Sequence, residues 1–436
     1  MSDLDGILDQ ARALQPGTVE LRRRLHGHPE VGLRLPHTQR TILEALGDLG
    51  LEVRTGTSVT SVVALLEGAR SGPTVLLRAD MDALPMREDT GLGFASSVDG
   101  AMHACGHDTH VAMLVGAARL LAARRESLTG RVALMFQPGE EGHHGARFML
   151  EEGLLDLAGA GAAPVSAAFA LHISTKYQTG TVSLRPGPLL ASGDRLRITV
   201  RGRGGHASAP HHALDPVPVA CEIVLALQTM ITRRVSVFDP AVVTISRITA
   251  GTTHNVIPDS AEMLGTVRAL SEGTREAVRA QATRVAEGVA AAHGASAEVE
   301  IEAGYPMTVN EPAAAEMVRR VAVDLIGEDR VTVLADPIMG SEDFSYVLRR
   351  VPGAMAFLGA CPPGLEPDTA PSNHSTRVVF DEDALPVGVA TYAGLALRHL
   401  AGALADVEGL PAQQQPGGPE RQVGADQHGV GRQPAL

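Results

Sequence analysis

A cysteine and a histidine two residues apart, Cys105 and His107, sit in Met102-His103-Ala104-Cys105-Gly106-His107-Asp108, just ahead of an expected helix. A thiolate and an imidazole are good ligands for zinc or another transition metal. A buried cysteine in a turn between surface histidines explains the same residues. A second signal is Gln137-Pro138-Gly139-Glu140-Glu141-Gly142, directly after an apolar run. Two adjacent carboxylates there can divide the work: one binds metal and its neighbour takes a proton from water. A solvated acidic loop is the bland alternative. His172 ends another apolar run, and His374 stands in Asn373-His374-Ser375 after a proline-rich loop. Asp80-Met81-Asp82 follows the run Thr74–Leu77. Ligands in α/β folds gather at the carboxyl ends of strands. Asp80/Asp82, Glu140/Glu141 and His172 all follow apolar strands, which is the pattern of a di-metal site on a sheet edge.

The elements that would position these groups are legible in outline. Helices are expected over residues 3–24, 35–49 and 111–124, and strands over 62–66, 74–77, 132–136 and 167–171. That alternation predicts an α/β layer with a mixed, largely parallel sheet. A different rhythm begins near Leu189. Leu196, Ile198 and Val200 alternate with Arg195, Arg197 and Thr199, as on a half-exposed strand. A helix over 215–234, strands over 241–249 and 261–270, a helix over 274–293 closed by Gly294, and a strand over 297–302 follow. The order β-α-β-β-α-β predicts an inserted ferredoxin-like lid domain at 189–303. The first rhythm returns with a helix over 313–326 and a strand over 354–358. The catalytic domain is therefore expected to be discontinuous, 1–188 and 304–405. Residues 406–436, rich in Gln, Gly and Pro, read as a disordered tail.

Composition bounds the function. The 436-residue chain is 44% apolar and carries a net charge of −13. An acidic chain without a basic run argues against a nucleic-acid partner. The opening MSDLDGILDQ lacks the basic start and apolar core of a secretory signal. The best candidate membrane span, Val111 to Ala123, is short and holds Arg119, so no membrane partner is expected. Three cysteines, Cys105, Cys221 and Cys361, fit a reducing compartment, the cytoplasm.

The joint order of RRRLHGHPEVG, LLRADMDALP, MHACGHDTH, FQPGEEG, ALHIS, RGRGGHASAPH, GTTHNVIPDSAEMLGTVR, GSEDFSYV and NHS resembles the metal-dependent aminoacylase/carboxypeptidase peptidases. The likeness is in particular to the branch of hippurate hydrolase and the auxin-conjugate amidohydrolases. The resemblance covers about 19–400. It implies two divalent metal ions per subunit, Zn2+ or Mn2+, with Co2+ or Ni2+ as alternatives. It maps the ligands onto Cys105, His107, Glu141, His172 and His374, and the catalytic base onto Glu140. Where the wider family often has His-x-Asp, this chain has Asp80-Met81-Asp82, and Asp82 is then expected to support a ligand. The resemblance further implies that His206 polarises the scissile carbonyl, often from the neighbouring subunit's lid, and that Asn255 and Arg268 grip a substrate carboxylate. It thus implies a homodimer built through the lid. His143 and His144 depart from the small residues usual after the glutamate pair. They narrow the mouth of the site, offer an adventitious metal contact, or face solvent on a loop, the last being the favoured reading.

Three functions follow: deacylation of N-acyl or N-aroyl amino acids, a dipeptidase or carboxypeptidase on the same centre, and a non-catalytic metal-binding protein. Glu140 beside the ligands argues against the third. No segment supplies an acidic anchor for a dipeptide's free amine, which favours the first, a hydrolase of small-molecule N-acyl amino acids.

Overall fold

The computed structural model describes residues 4–157 and 163–402; the expected tail lies outside the described residues. In chain order, β1 (Glu52–Thr55), β2 (Val62–Glu67), β3 (Arg70–Asp80), β4 (Thr129–Gln137), β5 (Val165–Gln178) and β6 (Val182–Leu184) begin the main sheet. Then come β7 (Gly187–Leu190), β8 (Asp194–Arg201), β9 (Gly205–His206), β10 (Ala241–Ala250), β11 (Val256–Ile257), β12 (Ser260–Ala269) and β13 (Ser296–Glu302). β14 (Thr308–Asn310), β15 (Val331–Val333) and β16 (Gly353–Cys361) close the series.

The main sheet has eight strands in the order β1-β2-β4-β3-β5-β16-β6-β15. Its centre, β4-β3-β5-β16, is parallel, as expected for a sheet covered on both faces. β2, β4 and β16 are buried almost throughout, so they read as continuous Val/Leu/Ala/Met runs without alternation. Helices Ile7–His26, His107–Ala122 and Leu385–Leu400 pack together on one face of this sheet. Met149, Phe344, Val347 and Phe357 belong to a second core cluster.

Residues 194–302 form β8, helix Pro216–Arg234, β10, β12, helix Glu272–Ala292 and β13, in the antiparallel order β10-β12-β8-β13. This is the ferredoxin-like order. Leu196, Ile198 and Val200 point into a core of their own, while Arg195, Arg197 and Arg201 face outward to Glu302, Glu262 and Glu298. Asp215 caps the first helix on Val217 N at 3.0 Å. Gly294, with φ of 74°, ends the second; Ala295 N returns to Ala290 O at 2.9 Å.

Two departures from the expected elements matter for the site. The helix expected from Val111 starts at His107. Its first turn, His107-Asp108-Thr109-His110, is polar and reads as loop by periodicity, yet all four residues are buried with partners inside the protein. The helix Leu385–Leu400 was not expected as an element, because it is apolar nearly all round and has no polar stripe to reveal a period.

Asp108 ties the first helix to that turn. Its Oδ2 accepts from Arg22 Nε at 2.8 Å and from His26 Nδ1 at 2.9 Å, and His26 Nε2 reaches Glu88 at 3.2 Å. Burial disfavours a charged His26 ring, but Asp108 and Glu88 outweigh it and raise the pKa to about 9. A raised pKa contributes stability in full below the unfolded value, about 6.5, and loses it as pH rises through the folded value. The shift corresponds to at most about 3 kcal/mol. In thermal melts, the stability gap between wild type and His26→Gln is expected to be widest near pH 6, to shrink as pH rises from about 6.5 to about 9, and to change no further above that. A gap independent of pH would place the charge elsewhere.

Candidate metal centre

Parallel pairing aligns the carboxyl ends of β3 and β4, with Asp80 opposite Gln137. The loops that follow therefore leave the same edge side by side, one carrying Asp82 and the other Glu140 and Glu141. β5, parallel to β3, brings His172 to that edge. Gly106 turns the chain into the helix beginning at His107, with φ of 88°; a Cβ there would collide with Ile173 Cγ2, so the turn packs closely only as glycine. His374 arrives from residues 371–376 with a positive φ of 69°. That backbone strain is held in place: His374 N donates to Ala104 O at 2.9 Å, and Asn373 Nδ2 donates to the carbonyls of Cys105 and Ile173, each at 3.0 Å.

The result is two triads of donor atoms sharing one thiol, Cys105–His107–His172 and Cys105–Glu141–His374, each within 4.8 Å. Cys105 Sγ lies 3.4 Å from His172 Nε2 and 3.3 Å from His374 Nε2. His107 Nε2 and Glu141 Oε1 face each other at 4.0 Å, and both are buried without a hydrogen-bond partner. His374 Nε2 is 3.2 Å from that oxygen but off its hydrogen-bonding direction. Buried polar atoms left without partners are costly, so their convergence points to a missing partner. Each imidazole is oriented for the task. His107 Nδ1 donates to Asp82 O at 2.8 Å and His172 Nδ1 to Ile173 O at 2.8 Å, leaving both Nε2 atoms toward the thiol.

Electrostatics tell the same story. Burial, then Glu141, Glu140 and Asp80, push the Cys105 thiol well above its usual range. Burial, then Glu342, Glu141 and Asp343, push Glu140 up likewise. Burial opposes charge on His107, but Asp80, Asp82 and Glu141 carry its pKa to about 10. His172 is held neutral, near 3, by burial and by His110. The cluster is starved of positive charge. Divalent cations supply it and reverse the first three shifts. Thiolate, imidazole and carboxylate donors in this number suit such ions.

Asp82 does not enter either triad. Its two oxygens accept the backbone N–H groups of Glu140 at 2.9 Å and Glu141 at 3.0 Å, which fixes both glutamates at once. Tyr305 Oη donates to Glu140 O at 2.5 Å and holds the same loop from above. Several supporting residues carried no assigned role in the sequence. Arg78, fully buried, binds Asp80 at 2.7 Å, Glu342 at 2.8 Å, Asp343 at 3.2 Å and Gln137 at 2.9 Å. His110 accepts from Ile173 N at 2.8 Å and donates to Asp80 at 2.5 Å, so it steadies the segment carrying His172. A charged residue inside the apolar run Val75–Ala79, and the acidic pair in GSEDFSYV, were the available signals.

A cleft of about 550 Å³ opens over the cluster. Cys105, Glu140, Glu141, His172 and His374 line it, and so does Arg268, whose Nη1 donates to Ser341 Oγ at 2.5 Å. His206 and Asn255 do not line it. They lie exposed on the small β9–β11 ladder, where Ala207 N bonds Asn255 O at 3.1 Å. His143 is exposed, and His144 turns away to Tyr346 Oη at 2.9 Å, so neither lines the cleft.

This constellation on this sheet is that of a metallohydrolase. Residues 76–398 match peptidase family M20/M25/M40, and the chain belongs to it. It is similar to thermostable carboxypeptidase 1 of Saccharolobus solfataricus, 37% identical over 91% of this chain and 99% of that protein. It is similar also to N-acetylcysteine deacetylase of Bacillus subtilis, 39% identical over 88% of this chain and 97% of that one. Among solved structures it resembles the Bacillus subtilis YxeP protein, described as a dinuclear metal binding peptidase, at 37% identity and a TM-score of 0.76 over 89% of this chain and 99% of that one. The expected family and the α/β fold are borne out. The chain is a hydrolase of amide bonds and a metal-binding protein.

Asp82→Ala strands two buried N–H groups and frees the glutamate loop. The expected result is a fall in divalent-ion affinity of about 10–100-fold, read by competition with a chelating dye. Unaltered affinity would make Asp82 a bystander.

Proposed function

We propose that the chain hydrolyses N-acyl amino acids, N-aroyl ones included, to a carboxylic acid and a free amino acid. In this reading Cys105, His107, Glu141, His172 and His374 hold two divalent ions, zinc or manganese, with cobalt or nickel suiting the same donors. The observation that carries the reading is the pair of donor triads on one thiol, with the buried Glu140 carboxyl in the same cleft. When bound, such ions acidify water and polarise a carbonyl.

Glu140 is the proton carrier. It takes a proton from the attacking water and delivers it to the leaving nitrogen. Its place in the cleft, beside Glu141 and next to the donor triads, suits a group that carries that proton from one step to the other. Arg268 faces the cleft and takes the free carboxylate of the amino-acid half. We assign residues 189–303 as a lid and dimerisation domain between the two halves of the catalytic domain. His206 and Asn255 then serve the cleft of a partner subunit, His206 at the scissile carbonyl and Asn255 at the carboxylate. Their exposure away from their own cleft supports that assignment. Three free cysteines accord with a cytoplasmic setting.

A carboxypeptidase or dipeptidase reading is favoured by the similarity to the carboxypeptidase of Saccharolobus solfataricus. It requires an anion for a free amine. The cleft's carboxylates, Glu140, Glu141 and Glu342, all lie at the metal end or under Arg78, which favours the acylase. A hydrolysis screen of N-acyl amino acids against dipeptides, with zinc or manganese added, separates the two: release of amino acid only from dipeptides would overturn the acylase.

Two further outcomes are expected. Glu140→Gln keeps the side chain's shape and removes proton transfer, so turnover should fall by at least about 10²–10⁴-fold while bound metal stays near wild type. Near-normal turnover would refute its role. Mixed Glu140→Gln and His206→Ala subunits should partly regain activity, since each mixed dimer holds one intact composite site. No recovery on mixing would mean that each site is built within one subunit.

A further inference from the structure

Of the 37 basic residues in the chain, one is lysine: Lys176. It lines the cleft. Its ammonium makes one long hydrogen bond, to Pro367 O at 3.4 Å, and no ion pair with any described carboxylate. Many of the described arginines, by contrast, are paired with carboxylates. Arg78, Arg22 and Arg275 are buried in carboxylate pairs, and Arg195, Arg197, Arg201 and Arg247 pair with surface glutamates.

The route from the metal centre to Lys176 has a definite character. It runs along β5, four residues on from His172, or roughly 13 Å of strand. Phe357 on the neighbouring strand lies 5.9 Å, ring to ring, from His172, and Tyr177 lies 5.9 Å from Phe357. All three rings line the cleft. The wall is thus aromatic next to the reacting centre and cationic beyond it. Arg268 stands on a different wall, on β12 against Ser341. A substrate held there by its amino-acid carboxylate directs its acyl half elsewhere in the cleft.

We propose that Lys176 selects acyl groups that end in a carboxylate, so that the preferred substrates are half-amides of dicarboxylic acids with amino acids. The methylenes lie against Phe357 and Tyr177, and the terminal carboxylate meets the ammonium. A lysine suits this better than an arginine, because a point charge on a flexible stem follows acyl chains of different length. The same cation repels the free ammonium of a dipeptide. The inference rests on the acylase reading for its orientation.

The test compares N-succinyl-L-alanine with N-butanoyl-L-alanine, which differ in the terminal group. Wild type should prefer the succinyl substrate in kcat/KM. In Lys176→Met the succinyl-to-butanoyl ratio should fall by about tenfold or more, the usual worth of one charge-assisted contact. Lys176→Arg should keep most of it. A ratio unchanged in Lys176→Met overturns the proposal, including the case where both substrates weaken together because Lys176 holds the amino-acid carboxylate. Hydrolysis of neither substrate by the metal-loaded wild type would count against the acylase reading. Chemical protection then decides the lysine's role on its own. Because Lys176 is the sole lysine, its acetylation by acetic anhydride can be followed by mass spectrometry on the intact enzyme. Succinate should slow that acetylation well beyond butanoate at equal concentration; equal rates overturn the proposal.

Discussion

The structure is organised around the cost of burying carboxylates. Asp80, Asp82, Glu140, Glu342 and Asp343 are all buried at one edge of the main sheet, with Glu141 half-buried beside them. An isolated buried carboxylate is expensive, and several together more so. Arg78 offsets part of this by binding Asp80, Glu342 and Asp343 from within the sheet. Asp82 is satisfied by the two backbone N–H groups it accepts. What remains uncompensated is Glu140 and the Cys105 thiol beside the donor triads, while His374 and His107 hold the Glu141 carboxyl below its usual range. The fold thus concentrates its need for positive charge at one point, where bound metal would answer it.

Parallel pairing of β3, β4 and β5 is what makes the concentration geometrically possible, since it sends their following loops off the same edge. The Arg78 hub then couples that edge to residues 341–343, where Ser341 receives Arg268 from β12. One short loop therefore touches both the charge network under the site and the cation expected to hold the substrate. The Arg22–Asp108–His26 contact fixes the other side, holding the first turn of the helix that starts at His107.

Much of this was readable in the chain. Asp82, Glu140, Glu141 and His172 stand at the ends of apolar runs, and these runs are strands whose carboxyl ends meet, while Cys105 and His107 stand ahead of a helix and His374 after a proline-rich loop. The alternation of β8 and the caps of its neighbouring helices made the ferredoxin-like order plain, because one face of that sheet is solvated. The failures share a cause. Periodicity detects contrast between faces, and it is blind where every face is buried. The helix Leu385–Leu400 is apolar all round, and the polar turn His107–His110 is interior. Arg78, His110 and Glu342 act through partners distant in sequence, Arg78 and Glu342 being 264 residues apart. No local pattern carries that information. The family resemblance already pointed His206 toward a neighbouring subunit's site, whereas nothing in the Asn255 motif showed that this residue stands away from its own cleft.

The account stands on two ions sharing one thiol. The most direct measurement is anomalous X-ray scattering from crystals of zinc- or manganese-saturated protein, paired with elemental analysis of the same preparation. Two anomalous peaks per subunit are expected, about 3.5–4 Å apart. Cys105 should lie between them, with His107 and His172 on one side and Glu141 and His374 on the other. A single ion, or ions held by a different set of residues, would contradict it.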